Sequence, residues 1–131
     1  MNEKNIGVLV DTSVWIEFFK QHSETGDKLS ELIIKNVVWT CGIVLFEIIQ
    51  GVKTEDEKAT LLETLLILPY VEMTQPLWQK AGELSATLKK KGVNLPLSDI
   101  FIATICLEHK LSIFTLDKHF EQIPGVRIYK M

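Results

Sequence analysis

Apolar and polar positions change period several times along the chain, and each change marks an element. Gly7-Val8-Leu9-Val10 is a short β-branched run stopped by Asp11, the pattern of a strand buried on both faces. Thr12 or Ser13 can cap the helix that follows, in which Val14, Trp15, Phe18 and Phe19 supply the apolar stripe. Residues 24–35 read as a second amphipathic helix with Leu29, Leu32 and Ile33 inward, and Val37-Val38-Trp39-Thr40 as the next strand. Residues 43–52 give a third helix, closed by Gly51, and residues 55–67 a fourth that stops before Pro69. Tyr70-Val71-Glu72 reads as a short strand. Thr74 then caps a long helix through Leu88, with Pro76 in the first turn, where its missing N–H does no harm, and Gly92 ending the element. Ser98 is a suitable cap for a helix over 99–108, and strands over 112–115 and 126–129 complete the pattern.

Strands that alternate with helices, without repeats or a linker, predict the α/β class: one domain over residues 1–131 with a central parallel sheet and helices on both faces. In such sheets the working site gathers at the carboxyl ends of the strands. Composition agrees with a folded chain, at 47% hydrophobic and 24% charged residues. The net charge of -3 argues mildly against a general nucleic-acid coat, which is usually basic. It leaves room for a local acidic pocket in an otherwise nearly neutral surface. Cys41 and Cys106 lie inside apolar runs with no zinc-type spacing, so they read as buried, reduced thiols. The apolar stretch 6–10 after Met1-Asn2-Glu3-Lys4 is too short for a signal peptide, and no run approaches a membrane span. A soluble, cytoplasmic protein is expected.

Four acids stand in places where chemistry explains them better jointly than singly. Asp11 follows the first buried strand, and with Thr12 and Ser13 able to cap, the capping role leaves it without unique work. Glu47 is the one polar residue in Ile43-Val44-Leu45-Phe46-Glu47-Ile48-Ile49, and a carboxylate there needs a partner, a metal or a solvated helix edge shared with Gln50. Asp99 opens an apolar helix whose dipole would favour it, while Ser98 is free to cap. Asp117 follows a strand and serves equally as a loop acid or as the cap of residues 118–122. In a doubly wound sheet these places converge at one edge. Carboxylates brought together repel unless a cation sits between them, and oxygen ligands select Mg²⁺ or Mn²⁺ rather than zinc. Such an ion can activate water against a phosphodiester. Ser13 and Thr115 lie beside the acids, where a hydroxyl could orient them or a water.

Val10-Asp11-Thr12-Ser13-Val14-Trp15-Ile16 resembles the opening motif of PIN-domain nucleases, and residues 43–51 around Glu47 resemble their second. Residues 92–103 around Asp99 resemble the third, and Thr115-Leu116-Asp117-Lys118-His119-Phe120 the fourth. The likeness runs through the whole chain in order and is closest to the VapC toxins of VapBC toxin–antitoxin pairs. It implies a Mg²⁺- or Mn²⁺-dependent endoribonuclease, a homodimer, held inactive by a small antitoxin. It assigns the metal site to Asp11, Glu47, Asp99 and Asp117, with Thr115 as the hydroxyl before the last acid. With Arg127 the only arginine, substrate phosphates would meet mostly lysines.

Other residues read as structure. Trp15, Trp39 and Trp78 belong to a core or a dimer interface, and Lys89-Lys90-Lys91 to a solvated helix end, with a phosphate contact the runner-up. His119 lies two residues past Asp117, within reach of the site, but a lone histidine reads as a surface residue. Two competing functions share the fold. One is a signalling module with a phosphoaccepting aspartate in an acidic Mg²⁺ pocket, which leaves Glu47 and Asp99 without a role. The other is a non-enzymatic binding protein.

Overall fold

Each apolar run anticipated as a strand pairs with a neighbour, and all pairings are parallel. In the computed structural model the strands are β1 (Val8–Val10), β2 (Val38–Cys41), β3 (Tyr70–Val71), β4 (Ser112–Phe114) and β5 (Arg127–Ile128), and they lie in the order β3-β2-β1-β4-β5. Register is fixed by pairs such as Leu9 with Trp39 and Leu9 with Ile113. The structure describes residues 6–20 and 22–131; Gln21 and the polar lead-in Met1-Asn2-Glu3-Lys4-Asn5 lie outside the described residues.

Among the described residues six α-helices lie between the strands: α1 (Thr12–Phe18), α2 (Glu24–Ile34), α3 (Gly42–Gly51), α4 (Glu55–Leu65), α5 (Gln75–Lys90) and α6 (Leu97–His109). Strand order runs outward from β1 to β3, then jumps back to β4. With right-handed crossovers, α1 to α4 cover one face and α5 and α6 the other. The reversal falls between β1 and β4, which makes their carboxyl ends the switch point of the sheet. β1 is buried throughout, and α6 is buried without a break from Asp99 to Cys106, so the acid at its start is carried by a core helix.

Several boundaries differ from the sequence reading for local reasons. Asp11, not Thr12 or Ser13, occupies the cap position of α1, because β1 ends directly on it. α6 starts at Leu97 after Pro96, whose fixed φ of -57° leads into the helix, so Ser98 lies inside the first turn. Phe19 is exposed, because α1 ends one residue before it. Trp15 is buried and Trp39 half-buried, whereas Trp78 is about half exposed with its ring edge-on to Phe101 at 4.4 Å. Thr74 caps α5 as expected, its hydroxyl accepting from the Leu77 N–H, and Gly92 takes a φ of 80° beyond the helix. Cys41 and Cys106 are free and buried. Among the described residues no helix is long and apolar enough to cross a membrane.

Candidate metal centre

The switch point brings together the ends of β1 and β4 and the start of α6. β1 delivers Asp11, whose backbone N–H donates to the Phe114 carbonyl at 2.9 Å and so ties it to β4. Its side chain makes no cap bond to α1. Oδ2 instead accepts from the Thr115 hydroxyl at 2.7 Å and from the Ser13 hydroxyl at 3.0 Å. Thr115 Oγ1 in turn accepts from the Asp117 N–H at 3.0 Å. One hydroxyl therefore fixes the acid after β1 against the backbone of the acid after β4. Ser13 Oγ likewise accepts from the Leu116 N–H at 3.1 Å.

Asp99 lies in the first turn of α6 and is 7% exposed. Asp117 does cap residues 118–122, which form a single 3-10 turn: its Oδ1 accepts from the His119 N–H at 2.9 Å. This cap folds the chain so that residues 117 and 119 point the same way. His119 Nδ1 then stands 2.8 Å from Asp99 Oδ2 and 3.1 Å from Asp117 Oδ1. One oxygen from each carboxylate and a ring nitrogen lie within 4.8 Å of one another, a spacing a metal ion can bridge. His119 is the residue that sequence reasoning set aside. Its signal was the Asp-x-His spacing across a capped turn, which a solvated surface histidine does not need.

Glu47 is placed differently. It is half-buried on α3, and its Oε1 accepts from the Thr12 hydroxyl at 2.9 Å, one residue along the chain from Asp11. It stands outside the donor group of Asp99, Asp117 and His119. It borders instead a groove of about 600 Å³ walled by Trp15, Ile16, Phe19, Ile48 and Leu61. Burial pushes the Cys41 thiol up, and the charges of Asp11 and Glu47 add to the effect.

The electrostatics follow from this crowding. Burial holds the Asp99 carboxyl above the ordinary carboxylate range, His119 pulls it back, and the charges of Asp117 and Asp11 push it further up. The hydrogen bond to Asp99 holds His119 above the usual histidine value. Among the described residues no lysine or arginine makes an ion pair with Asp11, Glu47, Asp99 or Asp117. Two carboxylate charges no more than 4.8 Å apart repel by roughly 3 kcal/mol or more at an effective dielectric near 20. That exceeds the net gain of about 1 kcal/mol from an ordinary hydrogen bond, so an all-ionised cluster calls for a cation. Hard carboxylate oxygens with one imidazole nitrogen fit a divalent ion.

A fold with acids at the switch point of a five-stranded parallel sheet defines the class. The PIN domain family model matches residues 8–126, and the chain belongs to the PIN domain family. The likeness to VapC toxins holds at the level of the fold. A chain of the DNA-bound VapBC complex from Salmonella typhimurium is similar with a TM-score of 0.82 and 25% identity, covering 95% of this chain and 97% of that one. A chain of VapBC2 from Rickettsia felis, bound to a promoter DNA fragment, has a TM-score of 0.79 at 22% identity, covering 95% and 98%. VapC20 of Mycobacterium tuberculosis, described as a toxin that cleaves the sarcin-ricin loop, has a TM-score of 0.68 at 15% identity, covering 93% and 98%. A comparison with curated proteins gives no match.

Proposed function

We propose that this chain, as one nuclease domain over residues 1–131, is a Mg²⁺- or Mn²⁺-dependent endoribonuclease, the toxin half of a toxin–antitoxin pair. The observation that carries the reading is the acid cluster itself: Asp99, which is buried, and Asp117 offer oxygens within 4.8 Å of each other beside His119, the charge of Asp11 acts on Asp99, and among the described residues no lysine or arginine pairs with them. Asp99 and Asp117 would hold the cation, with Asp11 and Glu47 completing its acidic surroundings. Bound there, a divalent ion offsets the charge of a phosphodiester and makes a water more acidic. Thr115 and Ser13 orient Asp11, Thr12 orients Glu47, and the cap bond of Asp117 fixes its carboxylate. Positioned in advance, these groups need no reorganisation when a substrate arrives.

RNA as the substrate is supported by the description of VapC20, and an antitoxin partner by the VapBC complexes of the same fold. The apolar groove beside Thr12 and Glu47 gives a partner segment a seat next to the acids. Homodimerisation and a cytoplasmic location belong to the same reading. The phosphoacceptor alternative gains no support, because among the described residues Lys118 makes no ion pair with Asp117 or its neighbours.

The test is cleavage of total cellular RNA by purified protein with Mg²⁺, with Mn²⁺ and with chelator, beside Asp11→Asn and Asp99→Asn variants shown to be folded by circular dichroism. Discrete, chelator-sensitive cuts that both variants lose are expected. Full activity in a folded Asp99→Asn protein would overturn the assignment.

A further inference from the structure

We infer that His119 is a nitrogen donor to the cation of this centre, so that the site discriminates in favour of Mn²⁺ over Mg²⁺. The inference rests on the metal-site reading above and adds to it a ligand outside the four acids. Its ground is geometric. The Asp117 cap bond to the His119 N–H locks the turn, and the ring follows with Nδ1 facing both acids, 2.8 Å from Asp99 Oδ2 and 3.1 Å from Asp117 Oδ1. The side chain is 45% exposed, yet it is the Nδ1 edge of the ring that is held against the two carboxylates rather than left to water. Here the three donor atoms span no more than 4.8 Å, and they come from a core helix and a capped turn rather than from mobile loops.

Carboxylate oxygens bind Mg²⁺ and Mn²⁺ alike, whereas an imidazole nitrogen suits d-block ions and adds little for Mg²⁺, which keeps water in preference. One nitrogen in an otherwise oxygen-lined site therefore shifts the ratio of the two affinities. The substitution that isolates this is His119→Asn, whose amide oxygen can take the place of Nδ1 while the backbone N–H that Asp117 needs is kept.

The experiment is direct metal binding. Mn²⁺ is titrated into the metal-free protein and followed by loss of the free-ion electron paramagnetic resonance signal, Mg²⁺ is followed by calorimetry, and the bound Mn²⁺ is probed for nitrogen coupling by pulsed resonance. In the wild type, strong nitrogen modulation is expected, and in His119→Asn it disappears while the preference for Mn²⁺ over Mg²⁺ falls. Tight Mn²⁺ binding without nitrogen modulation, or an unchanged preference in the variant, overturns the role of His119 and leaves the acid site standing. Failure of both ions to bind overturns the metal reading, and the role of His119 with it.

Discussion

Thr115→Val is the sharpest probe of how the centre is held together, because one hydroxyl serves two acids. Valine has the same shape, so packing is conserved and only hydrogen bonds are lost. The bond from Thr115 Oγ1 to Asp11 Oδ2 is 2.7 Å and charge-assisted, a class contributing about 2 kcal/mol. The bond accepted from the Asp117 N–H at 3.0 Å is an ordinary one, worth about 1 kcal/mol. Thr115 and Asp117 are only half-buried, so water replaces part of what is lost, and Asp11 keeps its bond from Ser13. A net loss of about 2 kcal/mol is expected, a fall in Tm of about 7 °C for a chain of this size. Urea unfolding in the presence of chelator measures it without metal. Divalent-ion affinity, read by calorimetry, should fall by about tenfold, since the two acids are no longer fixed relative to each other. Thr115→Ser, which keeps the hydroxyl, should recover most of both. Wild-type stability with an unchanged denaturant slope in Thr115→Val would refute the view that this hydroxyl joins the two strand ends.

Three further outcomes are expected. Thr40 Oγ1 is buried with no hydrogen-bond partner among the described residues, so Thr40→Val should stabilise the protein by about 1 kcal/mol, visible as a Tm rise of about 4 °C; a lower Tm would show that the hydroxyl is satisfied in solution. A Cβ on Gly26 would stand 2.9 Å from the Glu17 carbonyl oxygen and 3.0 Å from Phe18 Cα, so Gly26→Ala should lose about 1 kcal/mol despite alanine's better helix propensity, and a higher melting temperature would contradict the close approach of α2 to α1. Asp99 and His119 both have raised pKa values, so the metal-free folded state binds more protons than the unfolded chain from the ordinary aspartate value of 3.8 to above the ordinary histidine value of 6.5. Their contribution to stability is therefore fullest at the acid end of that window and is lost as pH rises through it. His119→Ala should flatten the upper part of the slope in chelator-treated protein, and an identical pH profile in wild type and variant would exclude the contact with Asp99.

Much of the fold was legible because its strands are buried on both faces. A run such as Gly7-Val8-Leu9-Val10 has no polar face to mislead, and its length suits a strand rather than a helix. Helix starts were less legible where two signals competed. Ser98 carries the side chain of a cap, yet Pro96 sets the entry to α6, since proline's fixed φ and missing N–H cost nothing at that position. Thr12 and Ser13 are displaced as caps of α1 for a different reason. β1 runs directly into the helix with no intervening loop, so the hydroxyls sit in the first turn and bond across to Glu47 and Asp11. Local propensity cannot foresee this, because Thr12 bonds to Glu47 and Ser13 accepts from the Leu116 N–H, both far along the chain.

The same reasoning separates what could be read of the centre from what could not. Asp11 and Asp99 stood out because each had a local role that a neighbouring hydroxyl could equally fill, Asp117 only through its place after a strand, and position at a strand or helix end is written in the hydrophobic pattern. Which acids touch is a property of strand order, and β4 lies beside β1 only because the chain doubles back after β3. Nothing in a 104-residue separation announces that Thr115 donates to Asp11. Glu47 shows the limit most clearly. Its apolar surroundings marked it as unusual, yet the structure gives it a hydroxyl partner and a place on the rim of the groove, apart from the Asp99, Asp117 and His119 donors. His119 shows the converse: a lone histidine reads as a surface residue, and the cap made by Asp117 turns its ring toward the acids. A centre assembled at a switch point is thus announced by which residues lack local work, while its exact membership is decided by short-range turn chemistry and by which strands the crossover brings together.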